Sequence, residues 1–312
     1  MSPWITPPAG APRPRAGSVA EAFAVLTGHR VTVLTGAGVS TDSGLPDYRS
    51  PGAPARHPVT FEQFIGDPRY RRYYWARNYV GWRHSITRVP NASHRAVAAL
   101  ERAGVSPGVV TQNVDLLHEQ AGSRHVVDLH GRWDTVVCRR CGARHTRAEL
   151  DQRLAELNPD FEQQVGAVGN VEIAPDADAV IERTETFRVR ACWAPSPDGT
   201  TEHGNGFAAP GECGGMLKPD IVFFGETVPA WRHRAAAELI DEGDALLVVG
   251  SSLAVHSALR LVRRSVADGK PLVIVTRGGT RADDLAQVTI EAGAAETLSG
   301  LVLRLVATDR AR

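Results

Sequence analysis

"VTVLTGAGVSTDSGLPDYRS", residues 31–50, runs from a short apolar stretch into two glycines around one alanine, then into a string of small polar residues. A β-branched run of this length reads as a buried strand. Gly36 and Gly38 permit φ values and a close backbone approach that a Cβ would block, which is how a βα turn brings amide N–H groups to a pyrophosphate. The spacing is G-A-G followed by Gly44 rather than G-x-G-x-x-G, so on these residues alone a plain tight turn competes with a dinucleotide loop.

The same pattern continues on either side. SVAEAFAVLTGHR (18–30) has apolar residues at helical spacing, with Ser18 placed as an N-cap. Short apolar runs at GVVTQN (108–113), VVDLHG (126–131), DIVFFG (220–225), ALLVVG (245–250) and PLVIVT (271–276) read as further strands. PAWRHRAAAELIDEG (229–243) and VHSALRLVRRSVADG (255–269) read as helices between them. This rhythm predicts an α/β fold, a doubly wound parallel sheet of the Rossmann-like kind with helices on both faces. Ligands of such sheets bind beyond the carboxyl ends of the strands, where this chain carries GAGVS, TQNVD, LHGRW, FFGET and GSSLA.

The chain has 312 residues, is 43% hydrophobic and 22% charged, and has a formal net charge of zero. Balanced charge argues against nucleic acid or an anionic membrane as partner. No apolar run approaches the roughly 18 residues that span a bilayer. Prolines interrupt residues 1–16, which read as a disordered leader on a cytoplasmic protein.

Residues 138–216 break the rhythm and contain all four cysteines. Cys138 and Cys141 form C-x-x-C, and Cys192 and Cys213 supply a second pair, a set suited to one tetrahedral zinc. The organisation expected is a larger domain from 17–137 and 217–312 and a smaller zinc-binding domain at 138–216, with an extended loop at 193–212. His145 or His203 stands as a substitute if the loop prevents one thiolate from reaching the metal.

Two groups of polar residues end strands. Gln112, Asn113 and Asp115 offer amide and carboxylate groups suited to ribose hydroxyls or a carboxamide. His130 offers an imidazole able to take a proton from a sugar hydroxyl. Each is unremarkable alone; their common sheet edge favours the functional reading.

With these residues assembled, the chain resembles the sirtuins, NAD-dependent protein lysine deacylases. The resemblance runs from about residue 18 to 306 and rests on GAGVSTDSGLPDYRS, TQNVDLLHEQAG, LHG, CRRC, LKPDIVFFGE and VVGSSL in the family's order. YWARNYVGW (74–82), PDYRS and RADDLA look most like the class II branch.

The resemblance implies that Gly36, Ala37 and Gly38 cradle the NAD phosphates and that Asp47, Tyr48 and Arg49 belong to a mobile cofactor loop. It implies that Gln112 meets the nicotinamide ribose, that Asn113 and Asp115 shape the nicotinamide pocket, and that Gly250, Ser251 and Ser252 hold the adenosine half. His130 becomes the catalytic histidine, acting with Asn113 and Asp115. In the family reaction the acyl oxygen of acyl-lysine attacks C1′ of the nicotinamide ribose, nicotinamide leaves, and the histidine activates a ribose hydroxyl; the products are lysine, nicotinamide and O-acyl-ADP-ribose. Val222, Phe223, Phe224, Gly225 and Glu226 match a loop against which the substrate backbone lies as an added strand.

Two departures stand out. Twenty residues separate Cys192 from Cys213, which suggests an insertion looped out between ligands that still meet. Thr276 stands where the family typically has an asparagine after the strand. The acyl chain is left open, with Arg56 and His57 as the nearest candidates to recognise it. A monomer is the family default. A protein mono-ADP-ribosyltransferase using the same NAD site, or an NAD-sensing module without catalysis, are the competing readings.

Overall fold

The computed structural model describes residues 17–48, 58–167, 171–174 and 178–309. The leader at 1–16, Arg49, Arg56 and His57 lie outside the described residues. In chain order the strands are β1 (Val31–Thr35), β2 (Val109–Thr111), β3 (Val126–Asp128), β4 (Gly131–Cys138), β5 (Arg144–Thr146), β6 (Leu217–Ile221), β7 (Ala245–Val249), β8 (Leu272–Val275) and β9 (Val288–Ile290). The helices are α1 (Val19–Leu26), α2 (Phe61–Gly66), α3 (Pro68–Ser85), α4 (Ala92–Arg102), α5 (Leu117–Gln120), α6 (Arg147–Leu157), α7 (Phe161–Gln164), α8 (Ala230–Asp241), α9 (His256–Ala267) and α10 (Ala294–Asp309).

The chain divides into two units, one built from residues 1–56, 88–130 and 228–312, the other from 57–87 and 131–227. The first holds a parallel sheet in the order β3-β2-β1-β7-β8-β9. Successive side chains of a strand face opposite ways. Accordingly Val31, Val33, Leu247, Val249, Val273 and Val275 pack with α1, α4 and α10, while Leu34, Leu246, Val248, Leu272 and Ile274 pack with α8 and α9. Both faces being covered, β1 and β7 are buried at every position, which is why they read as unbroken apolar runs. Ser18 caps α1 in a reciprocal box with Glu21, whose side chain returns to the Ser18 N–H at 2.7 Å.

The second unit holds the antiparallel sheet β5-β4-β6. Its core is aromatic: Phe64, Tyr74, Trp75, Tyr79, Phe161, Phe187 and Phe223 pack with Val136, Leu150, Leu154 and Leu217. Phe64 lies 5.3 Å from Tyr74 and 4.9 Å from Phe223, centroid to centroid. Arg147, almost wholly buried, hydrogen-bonds Asn78 and lies 4.6 Å over the Trp82 ring.

Two expectations from the sequence need correction. DIVFFG is not a strand of the parallel sheet. Its extended part belongs to β6, which runs antiparallel to β4 with Cys138 opposite Leu217 and Gly131 opposite Ile221. Apolar composition marks a strand but not the sheet that recruits it, and the pairing of Arg139 N–H with the Met216 carbonyl draws β6 to the cysteine knuckle. Residues 57–87, 131–137 and 217–227 cluster with the smaller unit rather than the larger, the first of these because α2 and α3 supply its aromatic core. The edge strand β9 has only three residues and no apolar run to announce it. Among the described residues no helix is long and apolar enough to cross a membrane.

Candidate functional site

In the parallel sheet the chain moves outward from β1 to β2 and β3 on one side, and from β7 to β8 and β9 on the other. The order reverses between β1 and β7, and the crevice at such a reversal is where open α/β sheets bind ligands. The GAG loop and the GSSL loop follow these two strands. Gly36 N–H donates to the Val249 carbonyl at 3.1 Å and Gly38 N–H to the Gly250 carbonyl at 2.9 Å.

This contact explains the glycines better than φ does. Gly36 is extended, with φ −137°, and Gly38 is not in the left-handed region. A Cβ on Gly36 would stand 2.9 Å from the Gly250 oxygen, and one on Gly38 3.0 Å from Gly250 Cα. Gly250 itself has φ +63°, and a Cβ there would stand 2.5 Å from the Val39 nitrogen. The three glycines therefore let two strand-end loops touch, and the amides of Gly36 and Gly38 are already bonded to the neighbouring strand.

Ser40 is the hub of the next layer. Its hydroxyl donates to Asp115 Oδ2 at 2.6 Å and accepts from Asn113 Nδ2 at 3.0 Å. His94 Nδ1 accepts from the Asn91 N–H at 3.2 Å, which leaves its Nε2–H to donate toward Ser40 at 3.3 Å. Asp115 also accepts from the Leu117 N–H at 3.0 Å, and Asn113 donates to the Gly36 carbonyl at 3.3 Å. Burial raises the Asp115 carboxyl above its ordinary range, against the pull of Ser40 and the Leu117 amide. Burial pushes His94 down to about 4 and His118 to about 3, so both rings are neutral. His118 Nε2 lies 2.9 Å from Thr35 Oγ1, which lies 2.9 Å from Thr111 Oγ1, tying the ends of β1 and β2 together.

Gln112 links the two halves of the crevice: its Nε2 donates to Ser251 Oγ at 2.8 Å and to the Thr35 carbonyl at 3.2 Å. His130, half-buried just beyond β3, stands 3.1 Å by its Nδ1 from the Gln112 carbonyl and 2.8 Å by its Nε2 from Ser257 Oγ. A carbonyl only accepts, so Nδ1 carries the ring proton and Nε2 is the basic nitrogen. Burial holds the imidazole down at about 4, the Gln112 hydrogen bond opposing it and Arg232 adding to it. The arrangement can accept a proton at Nε2 from a hydroxyl presented to it.

Leu116, next to Asp115, and Leu253, next to Ser252, hold φ of +62° and +52°. Left-handed backbone at a leucine costs about 1–2 kcal/mol, and here it falls on two strand-end loops of the same crevice. The carbonyl of Ser252 accepts from the Arg281 N–H at 3.1 Å. Asp47 and Tyr48 are half-buried in the same unit. Thr276 is buried and donates its N–H to the Ile290 carbonyl at 3.1 Å.

Within the second unit the four cysteine sulfurs lie within 4.8 Å of one another. Cys138 and Cys213 are 3.8 Å apart, as are Cys141 and Cys192. A tetrahedron with metal–sulfur bonds of about 2.3 Å has edges of about 3.8 Å, so the four thiols fit one zinc without His145 or His203. His145 Nε2 instead approaches Cys192 Sγ at 3.5 Å, and His203 is exposed. The long separation of Cys192 and Cys213 closes on itself: Cys213 N–H donates to the Ala194 carbonyl at 2.7 Å and Gly214 N–H to the Cys192 carbonyl at 3.0 Å. Arg140, inside the C-x-x-C turn, holds the intervening loop through Asp198 at 2.8 Å, the Thr200 carbonyl at 3.0 Å and the Cys213 carbonyl at 2.6 Å.

Residues 222–226 form a turn after β6. Phe223 is buried, its N–H donating to Glu226 Oε2 at 2.9 Å, and Lys218 Nζ holds the same oxygen at 2.9 Å. The Phe224 carbonyl accepts from the Phe61 N–H at 2.9 Å, and Gly225 is exposed with φ +83°. Val222 is half-buried.

Ser40, His94, His118, Ser257, Arg140 and Lys218 were not marked by sequence. Ser40 lies inside the quoted motif, but its partners Asp115 and His94 are 75 and 54 residues away, and Ser257 meets His130 across 127.

A profile described as the Sir2 family matches residues 36–257. The chain is 53% identical over 279 residues to a Mycobacterium avium (strain 104) protein named NAD-dependent protein deacetylase 1, covering 89% of this chain and 93% of that one. It is 42% identical over 255 residues to a Monosiga brevicollis protein named NAD-dependent protein deacylase SIR4, covering 81% and 77%. A solved structure described as "Sir2-p53 peptide-NAD+" superposes with a TM-score of 0.66 at 27% identity, covering 91% of this chain and 97% of that one.

Proposed function

The chain belongs to the Sir2 family, and from that premise we propose that it is an NAD-dependent protein lysine deacylase that transfers the acyl group of acyl-lysine to ADP-ribose and releases nicotinamide. The observation that carries this reading is His130: its Nδ1 is anchored by the Gln112 carbonyl, its Nε2 is basic, and Gln112 is in turn tied to Ser251 at the reversal of strand order. A module that only sensed NAD would have no use for an oriented base there.

NAD, when bound, supplies an electrophilic C1′ with nicotinamide as its leaving group. Gln112, Ser251 and Ser252 offer hydroxyl and amide groups to its riboses. Gly36 and Gly38 shape the phosphate loop, while their own amides stay with Val249 at the end of β7 and Gly250 just after it. Asn113 and Asp115, fixed through Ser40, form the polar wall that receives a carboxamide. His130 takes the proton of a ribose hydroxyl, and the Gln112 carbonyl stabilises the imidazolium that forms. Residues 222–226, held by Lys218 and by the Phe61 amide, present backbone to an acyl-lysine peptide. Cys138, Cys141, Cys192 and Cys213 would hold a zinc in a structural role, since the four thiolates would leave no position for a reacting molecule. The relatives' names divide between deacetylase and deacylase, so the test spans acetyl and larger acyl chains.

The test is mass spectrometry of wild type and His130→Ala with NAD and acetyl-, succinyl-, methylglutaryl- and lipoyl-lysine peptides. Acyl-dependent O-acyl-ADP-ribose in wild type alone is the expected result. Nicotinamide release without that product, with ADP-ribose attached to protein, would replace the reading with ADP-ribosyl transfer.

A further inference from the structure

His130 has a single basic nitrogen, and a serine already occupies it. Because Nδ1–H is committed to the Gln112 carbonyl, the 2.8 Å contact between Nε2 and Ser257 Oγ has one polarity, with Ser257 donating. Ser257 lies in the first turn of α9 and is half-buried. A nucleophile-type hydroxyl, a base, and a third group orienting the base is the arrangement that moves a proton off oxygen. Around the ring stand the Gln112 carbonyl after β2, Ser257 on α9 and, as the charged group whose field reaches it, Arg232 on α8.

A sugar hydroxyl and Ser257 cannot both hand a proton to the same lone pair. A serine hydroxyl, however, accepts and donates at once. We propose that Ser257 is a proton relay between the reacting ribose hydroxyl and His130, an inference that rests on the deacylase reading above. In the step the sugar O–H bond breaks as its proton passes to Ser257 Oγ, and the proton Ser257 already carried passes to His130 Nε2. The sugar oxygen keeps its electron pair and forms a bond to the acyl carbon, now an imidate carbon, as the C=N π bond breaks and its electron pair moves onto the lysine nitrogen. No electron is gained or lost, Ser257 ends with the one proton it began with, and the positive charge rests on an imidazolium whose Nδ1–H faces a carbonyl oxygen.

The experiment compares wild type, Ser257→Ala and Ser257→Thr by two readouts. In the first, 15N NMR of histidine-labelled protein without NAD follows His130. Loss of the hydroxyl donor removes stabilisation of the neutral ring, so Ser257→Ala shifts the Nε2 resonance and raises the His130 pKa by roughly half to one unit, while Ser257→Thr leaves both near wild type. In the second, Ser257→Ala lowers kcat for O-acyl-ADP-ribose formation by about 10- to 100-fold with the NAD KM changed by less than about two-fold, and Ser257→Thr restores it. An Ala variant as fast as wild type, or faster, overturns the relay, because the hydroxyl would then only obstruct the base. An unshifted Nε2 resonance in that variant overturns it independently. Failure of the deacylase reading shows differently, as absence of the product in wild type itself.

Discussion

Replacing Ser40 by alanine removes a side chain that joins the GAG loop to the TQNVD loop. Three interactions disappear: the 2.6 Å donation to Asp115, the 3.0 Å contact from Asn113 and the 3.3 Å contact from His94. A hydrogen bond to a charged group contributes about 1.5–3 kcal/mol and a neutral one about 1, and the groups left behind are buried. Asn113 retains the Gly36 carbonyl and Asp115 the Leu117 N–H, so the loss falls at about 3–4 kcal/mol rather than the full sum. For a chain of this size that lowers the melting temperature by roughly 5–6 °C in calorimetry.

The pH dependence has a definite sign. The folded Asp115 carboxyl is raised by burial, so relative to an unfolded carboxyl it contributes stability at low pH that is lost as pH rises through its folded value. The Ser40 hydrogen bond favours the ionised form and offsets part of that loss, so its own contribution is complete at high pH and fades as the carboxyl protonates. The Ser40→Ala penalty is therefore larger above the folded Asp115 pKa than below it. Combined with Asp115→Asn, the two substitutions are non-additive, since the charge that Ser40 serves is gone. A penalty below about 1 kcal/mol, or one that grows toward acid pH, would refute the hub assignment.

Three further outcomes follow from other parts of the molecule. Gly250→Ala meets both a left-handed φ and the Val39 nitrogen at 2.5 Å, so it destabilises by about 2–4 kcal/mol and weakens NAD binding; unchanged melting and unchanged NAD titration would contradict the loop-to-loop account. Purified protein carries one zinc per chain by plasma mass spectrometry, and Cys213→Ser or a strong chelator depletes it and exposes the small unit's aromatic core to a hydrophobic dye; zinc-free protein with normal melting would refute the site. Arg140→Ala frees the loop between Cys192 and Cys213, so limited proteolysis cuts within 196–212 sooner than in wild type, whereas an unchanged digestion pattern would show that Arg140 does not hold it.

Most of the parallel sheet was legible because its strands are buried on both faces and leave unbroken apolar runs, as β1, β7 and β8 do. The cysteine set was legible because thiol spacing is a chemical signal independent of the path between the pairs. β6 and α2–α3 were harder: apolar and aromatic residues show that a segment is buried but not against which core.

Sequence by itself placed Gly36, Gln112, Asn113, Asp115 and His130 at or just beyond strand ends, since period and length locate those ends. Tertiary structure alone decided what those groups do to one another. The glycines are needed because two loops touch, Ser40 became a hub because Asp115 and His94 reach it from other elements, and His130 was given one basic nitrogen by a carbonyl on one side and a serine 127 residues away on the other. Hydrogen bonds between residues so far apart are properties of packed elements, and no local pattern of residues encodes them.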